Sequence, residues 1–241
     1  MLGYLRLEAT RMVRDVKVAA ISLAAPLLMF VVLSGGAKGP SHAATLAYLT
    51  VTMAALGAMG AVLSNGSTGL AEDKGLGWLR LLRLTPLRSR DVVTARGLVV
   101  LAGALPPVIV IQLAGALARG VQHTPAQWAA TTIALWLGVA PIALIALGVG
   151  YLLQPKIAQG LAIVSYLGLS IIGGLWEPVS QQAHWQQVTA QWTPVGRLVQ
   201  VALGTATGTT PGLKAVAVLA AWTVIAAGFA TFAYRKGAQN R

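Results

Sequence analysis

With 241 residues, 56% of them hydrophobic and only 10% charged, and a mean hydropathy of +0.71, this chain lies far from the roughly 25% charged content of soluble globular domains and reads as an integral membrane protein. Its formal net charge of +12 would suit a nucleic-acid partner, but the basic residues flank apolar runs and form no separate basic domain, so topology accounts for them. The absence of cysteine excludes disulfides and thiolate metal sites and leaves the redox compartment open.

Residues 1–17 place Leu2, Leu5, Ala9, Met12, Val13 and Val16 at spacings of three and four, with Arg6, Arg11, Arg14 and Lys17 on other faces. That pattern predicts an amphipathic helix lying in the membrane interface. The basic start, the apolar run after it and Ser34-Gly35-Gly36-Ala37 also fit a signal peptide, although its basic region would be unusually long. Beyond residue 17, windows able to cross about 30 Å of hydrocarbon predict spans at 18–34, 44–66, 94–118, 128–153, 159–176 and 213–234. The first span contains Pro26, and the fifth holds Gly160, Gly168, Gly173 and Gly174, so both depend on support from neighbouring helices. Pro26, Pro106-Pro107 and Pro141 fall inside spans, where each removes a helix hydrogen bond and favours a kink. Between the spans lie a charged loop at 67–93 and a longer segment at 177–212.

The expected fold is therefore all-α: one transmembrane domain over residues 1–241, with six transmembrane helices. Its orientation follows from lysine and arginine. With both termini in the cytoplasm, fourteen of the 18 basic residues face inward, and only Lys38, Arg119, Arg197 and Lys214 face outward. An odd number of spans would put the basic N-terminus and the basic C-terminal tail on opposite sides.

What the spans lack narrows function. None has an ionisable group near its middle, where ion-coupled transporters and proton pumps bind the driving ion; Gln112 and scattered Ser and Thr are the strongest polar groups there. The phosphate-cradling pattern Gly-x-x-x-x-Gly-Lys-Ser/Thr is missing, so this chain is not expected to be an enzyme that handles ATP. His42, His123 and His184 fall in three separate loops without metal-binding spacing. Ser64-Asn65-Gly66-Ser67 and Ser165 offer hydroxyls but no histidine base on a neighbouring span, and no catalytic or metal residue is assigned.

The block Ala71-Glu72-Asp73-Lys74-Gly75-Leu76-Gly77-Trp78-Leu79-Arg80-Leu81-Leu82-Arg83-Leu84-Thr85-Pro86-Leu87 is amphipathic, with Arg80 and Arg83 on one helical face before Pro86 stops the helix. A helix of this kind either docks in a groove or lies in the interface with its arginines at phosphate depth. The block resembles the first cytoplasmic loop of type-2 ABC exporter permeases, in its charged Glu72-Asp73-Lys74, Gly77, the leucine-rich stretch Leu79 to Leu84, and Thr85-Pro86-Leu87. Gly75 stands where a second acidic residue is common in that family.

The resemblance implies a multi-pass permease of the plasma (inner) membrane, drug-efflux-like, that works as a homodimer or heterodimer with two copies of a separate ABC ATP-binding subunit. ATP and Mg would sit on that subunit, with no cofactor on this chain. Glu72, Asp73, Lys74, Gly77, Trp78, Arg80, Arg83, Thr85 and Pro86 would couple to it, and the substrate moved outward would be a hydrophobic or amphipathic drug, peptide or lipid. The resemblance also implies short re-entrant outer helices between the last two spans, around Trp176, Glu177, Pro178, Trp192 and Pro194. A second reading from a different class is a membrane interaction or immunity protein that sequesters a partner without transport. Observing whether an ATP-binding partner co-purifies distinguishes the two.

Overall fold

The computed structural model describes residues 16–36, 42–75 and 89–239, and among these every regular element is helical. Helix α1 spans Val16–Gly36. Helix α2, His42–Leu63, passes without a break through a π-helical segment, Ser64–Gly69, into α3, Leu70–Gly75. Two kinked rods follow: α4, Ser89–Ala102, with α5, Leu105–Arg119, and then α6, Pro125–Gly138, with α7, Ala140–Leu152. Helix α8 is Pro155–Ile172, the short α9 and α10 are His184–Ala190 and Pro194–Ala206, and α11 is Leu213–Gln239.

Five helical runs, His42–Gly75, Asp91–Arg119, Pro125–Leu152, Pro155–Ile172 and Leu213–Gly237, are long and apolar enough to cross a membrane. Helix α1, at the position of the first expected span, adds a shorter apolar stretch, Leu23–Gly36. The interfacial-helix residues Arg6, Arg11 and Arg14 lie outside the described residues, as does the side chain of Lys17.

Proline explains both interruptions. Pro106 and Pro107 carry no N–H, and the rod breaks just before them at Gly103-Ala104, where the indole of Trp136 donates to Leu101 O at 2.9 Å. Pro141 follows the break at Val139 in the same way. Pro26, by contrast, sits within an uninterrupted α1. Two boundaries differ from the sequence expectation. The second rod continues as helix to Gly75 instead of ending at 66, because the π segment absorbs the Ser-Asn-Gly-Ser polar run. Helix α8 ends at Ile172 instead of 176, because Gly174 takes a left-handed φ of 77°, which glycine adopts without a Cβ penalty.

Helix α2 is the hub. It is buried from Leu49 through Met59 and packs on α1, α5, α7 and α10, as expected for a helix apolar on all sides and surrounded by others. Successive rods run antiparallel, so the bundle has two distinct ends. The loop end gathers α3, the start of α4, the close of α7 and the last turns of α11. The tryptophan end gathers the close of α1, α5 and α8, with α9, α10 and the exposed Trp176, Trp185 and Trp192.

Candidate functional site: a charged node at the loop end

The node begins with an accounting problem in α7. Tyr151 O would normally accept from the N–H four residues later, but that residue is Pro155, which has none. Leu153, already extended at φ −98° and ψ 164°, leaves a second carbonyl outside the helix ladder. The ammonium of Lys74, reaching in from α3, donates to both, to Tyr151 O at 3.0 Å and to Leu153 O at 2.6 Å. A cation at a helix C-terminus also complements the negative end of the macrodipole. Lys74 is consequently 8% exposed, although it falls in the charged loop expected over 67–93.

Its neighbour Asp73 is likewise turned into the bundle. Arg96 Nη2 donates to Asp73 Oδ2 at 2.8 Å, with both side chains largely buried, so the pair ties α3 to the second turn of α4. Of the charged triplet only Glu72 faces outward. Glu72, Asp73 and Lys74 therefore divide into one exposed acid and two side chains that lace membrane helices together. The remaining residues of the expected coupling set, Gly77, Trp78, Arg80, Arg83, Thr85 and Pro86, lie outside the described residues.

Close backbone approach locks the same region from behind. A Cβ at Gly150 would lie 2.7 Å from Gly66 O and 2.8 Å from Ser67 O, and one at Gly66 would lie 2.9 Å from the Ala146 side chain. The π segment thus rests directly on α7, its carbonyls against Gly150 and its Gly66 against the Ala146 methyl. On the far side of α7, Tyr151 meets Tyr234 of α11 edge to face, with ring centroids 5.2 Å apart. Gly237 brings the α11 backbone so near Tyr151 O that an added Cβ would sit 2.6 Å away. Among these contributors, Ser64 to Ser67 stand out in the sequence only as hydroxyls, and no motif marks Tyr151 or Arg96. The proline four residues after Tyr151 was the available signal.

Beyond the node, a cavity of about 110 Å³ opens between the π segment, α7 and α8, lined by apolar side chains with hydroxyls from Ser67 and Ser165. That is well below the roughly 300 Å³ at which pockets for drug-sized ligands begin. At the tryptophan end, Tyr48 Oη donates to Gly174 O at 2.6 Å and Trp176 Nε1 to Ser170 Oγ at 2.8 Å, anchoring the chain where it leaves α8. Glu177 is exposed, and Pro178 precedes a single 3₁₀ turn, Val179–Gln181. Pro194 opens α10, capped by Thr193, whose hydroxyl accepts from Gly196 N at 3.2 Å, and α10 packs against α2, α6 and α11. Trp192, just before it, is exposed, and its carbonyl accepts from Trp222 Nε1 at 2.7 Å. In the loop between α5 and α6, burial holds His123 below the ordinary histidine value, and its ring meets Trp128 edge-on at 4.9 Å.

These apolar rods, with a buried charged node between them, define a multi-pass α-helical membrane protein. The chain is 23% identical over 186 residues, 77% of its own length and 76% of the other's, to "Putative transport permease YvfS" of Bacillus subtilis (strain 168). That similarity extends over most of the chain, far beyond the loop that carries the family resemblance. No protein-family model matches the chain.

Proposed function

We propose that this chain is the transmembrane subunit of an ATP-driven exporter, coupled to a separate ATP-binding subunit through the element from Glu72 to Pro86. The observation that carries the reading is the division of the charged triplet. Glu72 is left exposed beside the loop, while Asp73 and Lys74 bind that loop's base to α4 and α7. A push on residues 76–88 would therefore be delivered to rigid rods and not lost in a flexible tether. Because the π segment touches α7 backbone to side chain and α7 packs along α11, these three rods would shift together. The similarity to a protein named as a transport permease supports the same role.

In this reading α1 completes a set of six spans, both termini and the loop end face the cytoplasm, and two permease subunits pair with two ATPase subunits that bind ATP and Mg. The short α9 and α10 dip back toward the bilayer on the outer side. The substrate is hydrophobic or amphipathic, in keeping with apolar walls. The test is reconstitution of the chain with its ATP-binding subunit in vesicles. ATP-dependent export should fall several-fold in Glu72→Lys while the purified variant keeps wild-type stability, since Glu72 is exposed. Full export and full ATPase assembly in Glu72→Lys would remove the coupling role.

A further inference from the structure

The two interrupted rods break side by side. Trp136 lies in the turn before Val139, and Leu101 in the turn before Gly103-Ala104, so the 2.9 Å bond from Trp136 Nε1 to Leu101 O joins one break to the other. At each break proline takes away a donor: Ala102 O and Gly103 O face Pro106 and Pro107 one turn on, and Leu137 O faces Pro141. Leu101 O instead takes Ala104 N at 3.0 Å, a tighter turn than α. Inside a bilayer no water replaces the missing donors, so the backbone bends most readily at these two places. Neighbours press on the same level. A Cβ at Gly57 would lie 2.9 Å from Pro107 Cβ, which sets the unbroken α2 against the start of α5, and one at Gly138 would strike Leu198 of α10.

On either side of the breaks the rod halves are tied into two bodies. Toward the loop end, α3 is bonded to both rods, through Asp73 to Arg96 of α4 and through Lys74 to Tyr151 O and Leu153 O at the close of α7. Toward the tryptophan end, Thr132 of α6 donates to Gln112 Oε1 of α5 at 2.6 Å, and the hydroxyls of Thr131 in α6 and Thr205 in α10 lie 3.2 Å apart. Each body therefore holds one half of each rod. The bond from Trp136 to Leu101 O crosses between them, from α6 in one body to α4 in the other. A tryptophan at mid-rod lies away from the headgroup layer its ring favours, and its N–H requires a partner there.

We propose that the paired breaks form one hinge, at which α4 and α7 swing together against α5 and α6, and that the Trp136 indole is its latch. The hinge belongs to the isolated chain, so its failure would leave ATP-driven export untouched. Hydrogen exchange of the purified full chain in lipid nanodiscs, read by mass spectrometry, tests it. Trp136→Phe keeps a ring and removes the N–H. Exchange should rise about threefold to tenfold at both 99–105 and 136–143, the size of one lost hydrogen bond, and stay at the wild-type rate at 64–75 and 110–117. Pro141→Ala returns a donor to Leu137 O and acts in the opposite sense, slowing exchange at 136–143 and, through Trp136, at 99–105. In Trp136→Phe, faster exchange at 99–105 alone would show two breaks that move separately, and equally faster exchange at all four segments would show a packing residue and no latch. Either result, or unchanged exchange at both breaks, overturns the hinge. Should Trp136→Phe not fold, Pro141→Ala decides, and a wild-type rate at 99–105 in that variant overturns the coupling.

Discussion

Replacing Lys74 by methionine tests whether the node holds the bundle or merely decorates it. Methionine keeps the apolar stem and deletes the ammonium, so Tyr151 O and Leu153 O both lose their donor. A buried acceptor left without a partner costs about 1–3 kcal/mol, and Leu153 O, only partly buried, recovers some of that from water. Losing a cation from a helix C-terminus adds about 0.3–1 kcal/mol. Against this, the variant no longer bears the cost of burying a charge, which offsets part of the loss. The net expectation is destabilisation by about 2 kcal/mol. Equilibrium unfolding in mixed micelles with rising sodium dodecyl sulfate, followed by tryptophan fluorescence, measures it, and Lys74→Arg, which retains a cationic donor, should recover most of the difference. A Lys74→Met variant within about 0.5 kcal/mol of wild type would show that α7 does not need this cap, and the proposed route from loop to α7 would fall with it.

Three further outcomes follow from the same geometry. Gly150→Ala drives a methyl into the carbonyls of Gly66 and Ser67, which are backbone and cannot swing aside, so it should cost about 1–3 kcal/mol, whereas Gly160→Ala in α8 meets nothing and should be neutral or slightly stabilising in the same assay. Equal effects at the two glycines would refute the close packing of the π segment on α7. Asp73→Asn leaves Arg96 with a neutral partner in a mostly buried site and should lower stability by about 1–2 kcal/mol, with less further loss when Arg96→Gln is added, a coupling that a double-mutant cycle reads directly. His123, lowered from 6.5 by burial, takes its proton later than the unfolded chain does as pH falls. Its share of stability is thus complete above about pH 6.5, declines from there toward the lowered folded value, and levels off below it; His123→Gln should remove that part of the slope.

The spans and their kinks were legible because both rest on strong local signals. Apolar runs of membrane length mark the rods, and Pro106-Pro107 and Pro141 mark the two breaks, each through a missing N–H that no neighbour supplies within the helix. Pro26 shows the limit of that signal, since the helix around it runs uninterrupted from Val16 to Gly36. The π segment was not legible. Ser64-Asn65-Gly66-Ser67-Thr68-Gly69 straddles the expected end of the span at 66, yet all of it stays helical because Gly66 and Gly150 let two backbones meet, a contact between residues far apart in the chain.

The charged triplet shows most clearly where sequence reasoning needs a different question. Read locally, Glu72-Asp73-Lys74 is a polar island between apolar runs, and the expected partner for all three is outside the chain. Read as hydrogen-bond accounting, Pro155 already announces that Tyr151 O requires a donor from elsewhere, and a buried carbonyl near a bilayer face has few sources of one besides a lysine or arginine from a neighbouring rod. Lys74, at the end of the rod that Gly66 and Gly150 bring against α7, is placed to answer. The same accounting at the other end finds the buried Arg197 Nη2 without a hydrogen bond. The loop end of the bundle thus holds Asp73, Lys74 and Arg96 against one another and against backbone carbonyls, and of the triplet only Glu72 is left exposed.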